Sequence, residues 1–129
     1  MRLHSFPTRR SSDLLDEADL LVVPSVWPEP FGLVGPEAGL HGVPAAGFAV
    51  GGIPEWLQDG VNGCLAPGDP PTTAGLADAI VRCLADPDTH RRLRQEAVRC
   101  AQRFSMTRHL AELELALGGA RSPAAGRPA

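Results

Sequence analysis

Short apolar runs alternate with helix patterns from Leu15 onward, and this alternation constrains the fold more than any other feature of the sequence. The run from Leu20 to Val23 is continuously apolar and stops at Pro24, as is typical of a strand buried on both faces of a parallel sheet. Two further strands are predicted, one in G-V-P-A-A-G-F-A-V and one at Cys64 to Ala66. The pattern indicates the α/β class, with a Rossmann-like parallel sheet flanked by helices.

Helices are predicted between and after these strands. The first should begin near Pro36, because proline suits the first helical position, and should end at His41-Gly42. A second, short helix is predicted at Ile53 to Gln58, between two glycine-rich turns. The C-terminal part is predicted to be helical, with an apolar face on Leu76, Ala79, Ile80, Cys83 and Leu84, then helices at Asp88 to Arg103 and at Met106 to Leu117, the last capped by Ser105.

The domain organisation predicted from these patterns is one domain at residues 15–117. Residues 1–14 show neither strand nor helix periodicity and are predicted to be a non-native or disordered leader, so they are set aside in the fold prediction. Residues 118–129 are rich in Gly, Pro, Ala and Arg and are predicted to be a disordered tail. The native protein is expected to begin far upstream.

Charge and cysteine content exclude several classes of function. A net charge of −3 and a pI near 5.7 disfavour nucleic-acid binding through the overall field of the protein. Cys64, Cys83 and Cys100 are widely spaced and lack a metal-binding pattern, so reduced, buried thiols are expected, with neither a metal nor a disulfide. The longest apolar run is too short to span a bilayer, and the N-terminus lacks the apolar region of a signal peptide. A soluble, cytoplasmic protein is therefore expected.

The chemistry of the chain is concentrated in P-E-P-F-G-L-V-G-P-E, which places Glu29 and Glu37 eight positions apart. We call residues 29–37 the E-x7-E segment. It follows the first predicted strand, and ligands of open parallel sheets bind at the carboxyl ends of the strands. Gly32 and Gly35 let the backbone approach a ligand, and the helix predicted to begin near Pro36 favours an anion at its N-terminus. The segment thus predicts a phosphate site between two carboxylates.

Several linked motifs in the right order resemble glycosyltransferase family 4, the glycosyl transferases of group 1, which are retaining enzymes of the GT-B fold. They are V-V-P-S, E-P-F-G-L-V-G-P-E, E-A-G-L-H-G-V-P-A, G-G-I-P-E-W-L-Q-D-G-V-N-G and A-D-A-I-V-R-C-L-A-D-P. The resemblance covers about residues 15–110. It implies that residues 15–117 are part of a C-terminal domain that binds a nucleotide sugar.

The resemblance also implies roles for the E-x7-E segment. Glu29 lies beside the donor sugar and is the catalytic residue. Main-chain groups of Phe31, Gly32, Leu33 and Val34 hold sugar hydroxyls and the diphosphate. Glu37 accepts hydrogen bonds from the ribose hydroxyls, as suits an ionised carboxylate facing two vicinal hydroxyls.

The implied activity is transfer of a hexose from a UDP- or GDP-sugar to an unknown acceptor, with retention of configuration and without a metal or other cofactor. The Arg and Lys that such enzymes place on the diphosphate, and the acceptor-binding domain, have no counterpart in the chain, so the isolated chain is expected to be inactive. The alternative is a nucleotide-sugar-binding fragment without turnover. Peripheral membrane association of the parent enzyme is a further alternative to a freely soluble enzyme.

Other interpretations of the two acids and the adjacent turn stay open at this point. Glu29 and Glu37 are also compatible with two merely solvated side chains, or with the acid and base of a glycoside hydrolase, which requires opposed carboxylates. Gly51-Gly52 is either a plain turn or a loop near the sugar.

Aromatic and basic residues have two interpretations each. Trp27 and Trp56 either pack at the ends of a strand and a helix or stack on a base or sugar. His41 either stabilises the end of its helix or faces the ligand, and the Arg-rich stretch at residues 91–99 is either a solvated face or a membrane-facing one. Packing and solvation are the favoured interpretations.

Overall fold

The computed structural model describes residues 10–119 and has an α/β fold. The elements, in chain order, are α1 (Ser11–Glu17), β1 (Leu21–Val23), α2 (Val34–Leu40), β2 (Ala45–Phe48), α3 (Ile53–Trp56), β3 (Gly63–Ala66), α4 (Thr73–Leu84), α5 (Pro87–Gln102) and α6 (Met106–Gly119). The predicted order of strands and helices is therefore confirmed.

The three strands form one parallel sheet in the order β1-β2-β3. Val22 lies opposite Ala46, and Ala46 lies opposite Cys64, so the central strand β2 is in register with both neighbours. All four residues of β2 are buried. Because the strands are parallel, their carboxyl ends lie at the same edge of the sheet, and the loops that follow them are brought together there.

Two apolar clusters lie on opposite faces of the sheet, as the alternation of side chains along a strand requires. The first contains Ala46, Phe48, Cys64, Ala66, Ala79, Cys83 and Leu93 and packs α4 against β2 and β3. The second contains Val23, Ala45, Ile53, Trp56 and Leu57 and packs α3 beneath the sheet. Helices therefore cover both faces, as predicted for this fold class.

Helix α2 begins earlier than predicted. It starts at Val34 rather than near Pro36, so the proline occupies the third helical position. A turn in which the Gly35 N–H donates to the Gly32 carbonyl oxygen leads directly into the helix. Proline is tolerated at that position because the N–H groups of the first helical turn have no partner within the helix.

Gly39 allows close packing between α2 and α5. A Cβ at this position would lie 2.8 Å from the Ala101 Cβ and 3.0 Å from the Ala97 carbonyl oxygen. The backbone of α2 thus rests directly on α5. This contact offsets the cost of about 1 kcal/mol that a glycine in a helix carries relative to alanine.

The described residues overlap the predicted leader at residues 1–14 and the predicted tail at residues 118–129. Helix α1 begins at Ser11, within the predicted leader, and α6 extends to Gly119, two residues into the predicted tail. Residues 1–9 and 120–129 lie outside the described residues, and for them the leader and the tail stay predictions. Within residues 10–119, no helix has both the length and the apolar character needed to cross a membrane.

Candidate functional site

The loops that follow β1 and β2 lie side by side at the carboxyl edge of the sheet. The Gly52 N–H donates to the Glu29 carbonyl oxygen at 2.7 Å. A Cβ at Gly51 would lie 2.3 Å from that same carbonyl oxygen, and a Cβ at Gly52 would lie 2.1 Å from the Pro30 carbonyl oxygen. The Gly51-Gly52 turn is therefore in backbone contact with the start of the E-x7-E segment, and only glycine fits at either position.

Glu29 is half-buried, and its carboxylate is held by the loop in which it lies. The Ser25 hydroxyl donates to Glu29 Oε1 at 3.0 Å. The other oxygen, Oε2, lies 3.0 Å from where a Cβ at Gly32 would be, and Gly32 has a φ of +81°. A side chain at position 32 would be strained by that φ and crowded by the carboxylate. Gly32 therefore allows the Glu29 carboxylate to lie directly against the backbone of the segment.

The middle of the E-x7-E segment combines one half-buried residue, Phe31, with exposed residues. The Phe31 ring packs edge-to-face on Phe104, with ring centroids 5.2 Å apart. The Phe31 carbonyl oxygen accepts the Trp56 indole N–H at 2.6 Å. Leu33 and Val34 are 75% and 42% exposed. Since the Phe31 ring and carbonyl are engaged within the protein, the accessible main-chain groups of the segment lie beyond them.

Two N–H groups remain available at the start of α2. The Gly35 N–H is used in the turn to Gly32, and Pro36 has none. Among residues 10–119, the Leu33 and Val34 N–H groups donate no hydrogen bond. Both residues belong to the stretch whose main-chain groups were predicted to hold sugar hydroxyls and the diphosphate, and such N–H groups suit phosphate oxygens.

Glu37 lies in the first turn of α2 and is exposed. It follows Leu33 and Val34 on the same short helix, and its backbone N–H donates to the Leu33 carbonyl oxygen at 3.1 Å. The predicted residues therefore lie on one loop and on the first turn of the helix that follows it. Glu29 stands on a loop anchored by the Gly51-Gly52 turn, and Glu37 stands on the helix that follows.

The two tryptophans occupy opposite environments. Trp56 is buried, with 4% of its surface exposed, which confirms the packing interpretation for it. Trp27 is 78% exposed, so the packing interpretation is wrong for that residue. Trp27 follows Pro24 and Ser25 in the loop after β1, and its side chain lies on the surface of that loop. Its place in that loop puts it four residues from Phe31.

His41 is engaged away from the E-x7-E segment. Its Nδ1 lies 2.6 Å from Asp16 Oδ1, at the end of α1. It follows the last residue of α2 and precedes Gly42, which has a φ of +69°. The contact joins α1 to the end of α2, in agreement with the structural interpretation of this histidine.

A groove of about 430 Å³ adjoins the E-x7-E segment on the side of α6. It is lined by Phe31, Leu33, Arg103, Phe104, Met106, His109 and Glu112. Arg103 lies over the Phe104 ring, with its guanidinium carbon 6.0 Å from the ring centroid.

Among residues 10–119, no three His, Cys, Asp or Glu side chains are grouped so that they could hold a metal ion.

The sequence did not reveal the groups that fix the E-x7-E segment in place. They are the Ser25 hydroxyl, the Trp56 indole and the Asn62 side chain, whose Nδ2 donates to the Trp56 carbonyl oxygen at 2.7 Å. Ser25 lies four residues before Glu29, and this short spacing is a signal from which a local side-chain contact could have been predicted. Trp56 and Phe31 are 25 positions apart, and no local pattern connects them.

Comparison with known proteins gives matches to one family. The family described as "Glycosyl transferases group 1" matches residues 3–86. An alpha-maltose-1-phosphate synthase of Mycolicibacterium smegmatis is 38% identical over 117 residues, which are 84% of this chain and 29% of that protein. A D-inositol 3-phosphate glycosyltransferase of Nocardia farcinica is 41% identical over 106 residues, covering 82% of this chain and 23% of that protein. The chain thus spans less than a third of the length of these relatives.

Solved structures match over the same share of the chain. Anabaena Alr3699/HepE in complex with UDP and glucose superposes with a TM-score of 0.74 at 32% identity, over 83% of this chain and 29% of the other. The same protein has been solved with UDP-glucose and with UDP, with TM-scores of 0.73 and 0.77. A sucrose-phosphate synthase of Thermosynechococcus elongatus superposes with a TM-score of 0.69 at 34% identity, over 84% and 28% of the two chains.

Proposed function

The chain belongs to the group 1 glycosyltransferases and has part of their GT-B fold, and from this premise we propose that it forms the donor side of a retaining enzyme. The reaction is transfer of a hexose from a nucleotide diphosphate to an acceptor. Since the chain covers less than a third of its relatives, the complete reaction belongs to a longer protein that contributes the acceptor side. The role of residues 10–119 is to bind the nucleotide sugar.

The observation that carries this proposal is the backbone contact between Gly51-Gly52 and Glu29. It joins two of the family motifs, G-G-I-P-E and E-P-F-G, at the carboxyl edge of a parallel sheet. That edge is where ligands of such sheets bind. The contact sets the Glu29 carboxylate beside Gly32 and ahead of the exposed start of α2, in the order that a sugar, a diphosphate and a nucleoside would require.

Each part of the donor has a matching group in the E-x7-E segment. The diphosphate is assigned to the N–H groups of Leu33 and Val34, which donate no hydrogen bond among the described residues. The sugar is assigned to Glu29, whose carboxylate is oriented by Ser25, and the ribose is assigned to Glu37. Ionised carboxylates accept hydrogen bonds from hydroxyls strongly, which makes this division chemically consistent.

We propose UDP as the nucleotide, because the similar Anabaena structures contain UDP, UDP with glucose, and UDP-glucose. A GDP-sugar is the alternative donor. The second candidate function is nucleotide-sugar binding without turnover by the chain alone. The small share of the relatives that it covers favours this for the isolated polypeptide, because the remaining chain of those enzymes would be needed to complete the cleft.

Isothermal titration of the chain with UDP, UDP-glucose and GDP-mannose tests the proposal. Saturable binding of UDP and UDP-glucose, with weaker binding of GDP-mannose, is the expected result. Release of glucose from UDP-glucose by hydrolysis would reveal turnover by the chain itself. That result would contradict the binding-only alternative. Failure of all three ligands to bind a folded sample would overturn the assignment of the donor site to this part of the protein.

A further inference from the structure

Trp56 contacts the E-x7-E segment at three points from within the core. Its indole Nε1 donates to the Phe31 carbonyl oxygen at 2.6 Å. Its ring is so close to Gly35 that a Cβ there would lie 2.2 Å from it, and a Cβ at Gly32 would lie 3.4 Å from its Nε1. Trp56 is buried, with 4% of the residue exposed. One residue on α3 therefore supports the segment from Phe31 to Gly35.

The position of Trp56 is itself fixed by a buried asparagine. Asn62 is 7% exposed, and its Nδ2 donates to the Trp56 carbonyl oxygen at 2.7 Å. Its Oδ1 accepts the Gln58 N–H at 2.7 Å, so both ends of the amide are satisfied. A buried amide with both ends satisfied holds a single orientation. The indole thus projects from an anchored backbone.

The hydrogen bond to Phe31 has a consequence for the next residue. The carbonyl of Phe31 and the N–H of Gly32 belong to one planar trans peptide, in which the two groups point in opposite directions. Because the carbonyl points at the indole in the core, the Gly32 N–H is directed away from it. The orientation of this peptide, and with it the start of the turn that leads to Leu33 and Val34, is therefore set by Trp56.

We propose that Trp56 is a positioning residue for the nucleotide-sugar donor, acting through the Phe31–Gly32 peptide and Gly35. This inference rests on the proposed function, because it concerns how the E-x7-E segment is kept ready to bind a diphosphate. Trp56 itself does not contact the ligand. Its indole N–H orients the Phe31–Gly32 peptide, and its ring keeps the start of α2 at a fixed distance from the core.

The test compares Trp56→Phe with Arg91→Gln by titration with UDP. Phenylalanine keeps an aromatic ring against Gly35 and removes the N–H, while Arg91 is an exposed residue of α5 whose side chain pairs with Asp88, away from the E-x7-E segment. Loss of one ordering hydrogen bond should weaken UDP binding about fivefold in Trp56→Phe. Arg91→Gln should bind UDP as the unchanged chain does. Titrations are made well below the melting temperature of each variant, so that a purely structural role would leave the affinity unchanged.

A second measurement uses the unsubstituted chain. In a ¹⁵N-labelled sample, UDP should shift the indole N–H resonance of Trp56, assigned by its loss in Trp56→Phe. If Trp56→Phe does not fold, benzothienylalanine at position 56, which keeps the bicyclic ring and lacks only the N–H, replaces it in the titration. Equal UDP affinity with and without the N–H, in a chain that binds UDP, would overturn the inference alone. Absence of UDP binding to the folded, unsubstituted chain would overturn the proposed function and this inference with it.

Discussion

The Gly52 N–H donates to the Glu29 carbonyl oxygen at 2.7 Å, although the two residues are separated by α2 and β2. This bond fixes the main chain of the proposed sugar-binding glutamate, while the Ser25 hydroxyl fixes its carboxylate. Both the main chain and the side chain of Glu29 are thus held by the protein. A group held this way loses little further freedom when a ligand binds, which is what preorganisation of a binding site requires.

Gly52→Ala should disrupt this arrangement. A Cβ at position 52 would lie 2.1 Å from the Pro30 carbonyl oxygen, and a backbone atom cannot move aside as the end of a flexible side chain can. Overpacking of this kind costs about 1–3 kcal/mol of unfolding free energy. Urea denaturation should show that loss, and UDP affinity should fall as well. Gly118→Ala is the control, because nothing lies within 4 Å of a Cβ there and alanine favours the exposed helix α6 by up to about 1 kcal/mol.

Arg82 should stabilise the fold more than other arginines on the surface. Its guanidinium donates to Asp59 at 3.0 Å, to Asp78 at 3.0 Å and to the Leu65 carbonyl oxygen at 2.8 Å, which ties α4 to the turn before β3 and to β3 itself. We expect Arg82→Gln to cost about 1–2 kcal/mol, since the network is partly exposed and each of its ion pairs is worth only a fraction of that.

Arg91→Gln is the matched control for Arg82→Gln. Among residues 10–119, Arg91 pairs only with Asp88, three residues away on α5, and both side chains are largely exposed. Its removal should cost under about 0.5 kcal/mol. Chemical denaturation of both variants at low and at high salt would separate them. Equal losses for the two variants would contradict the role of Arg82 as a tie between elements.

The buried thiol of Cys83 should make the protein less stable at alkaline pH. Burial raises the pKa of Cys83 to about 12 from its ordinary value of 9.0. The stabilisation from this shift is complete below pH 9, where both folded and unfolded chains hold the proton. It is lost as the pH rises from 9 towards 12, because the unfolded chain releases the proton first.

Urea denaturation between pH 7.5 and 10.5 measures this effect. The unfolding free energy of the unsubstituted chain should fall with pH above 9 more steeply than that of Cys83→Ala, which lacks the titrating group. Burial also raises the pKa of Cys100, whose side chain is only partly buried, so Cys100→Ala should keep most of the slope. Parallel pH profiles for the unsubstituted chain and Cys83→Ala would contradict the assignment.

The sequence predicted the fold well because its strands are short, apolar and interrupted by proline and glycine. Leu20 to Val23 and Cys64 to Ala66 lie within one residue of the observed strands β1 and β3. The start of α2 was misplaced by two residues, because proline is favoured at the first helical position but is tolerated throughout the first turn. The Gly32–Gly35 turn that decides the start is a feature of three-dimensional packing on Trp56.

The candidate site was predictable as a segment but not as a set of contacts. Glu29 and Glu37 were identified from their spacing and from the family motif around them. The main chain of Glu29 is held by Gly52, 23 positions along the chain, and the carbonyl of Phe31 is held by Trp56, 25 positions along it. Such contacts depend on how two parallel strands bring their loops together, and no periodicity in the sequence records them. The exposure of Trp27 was missed for the same reason.

The last prediction separates the two acids of the E-x7-E segment by the part of the ligand that each holds. If Glu37 accepts the ribose hydroxyls, Glu37→Gln should weaken UDP and UDP-glucose equally, because both contain the ribose. If Glu29 contacts the sugar, Glu29→Gln should leave UDP binding unchanged and reduce only the additional affinity for UDP-glucose. Each loss should be about tenfold, since a hydrogen bond to a charged group contributes about 1.5 kcal/mol or more.

Both substitutions keep the size of the side chain and remove its charge, and glutamine at position 29 still offers an oxygen to the Ser25 hydroxyl, so the fold should be retained. Titration of both variants with UDP and with UDP-glucose gives four affinities to compare with those of the unsubstituted chain. In the complete enzyme, Glu29→Gln should also lower kcat more than it raises the KM for the donor, because the sugar moves relative to the diphosphate as the bond breaks. A uniform loss for both ligands in Glu29→Gln would place that carboxylate on the nucleotide instead, and unchanged affinities in both variants would refute the site assignment while leaving the family membership intact.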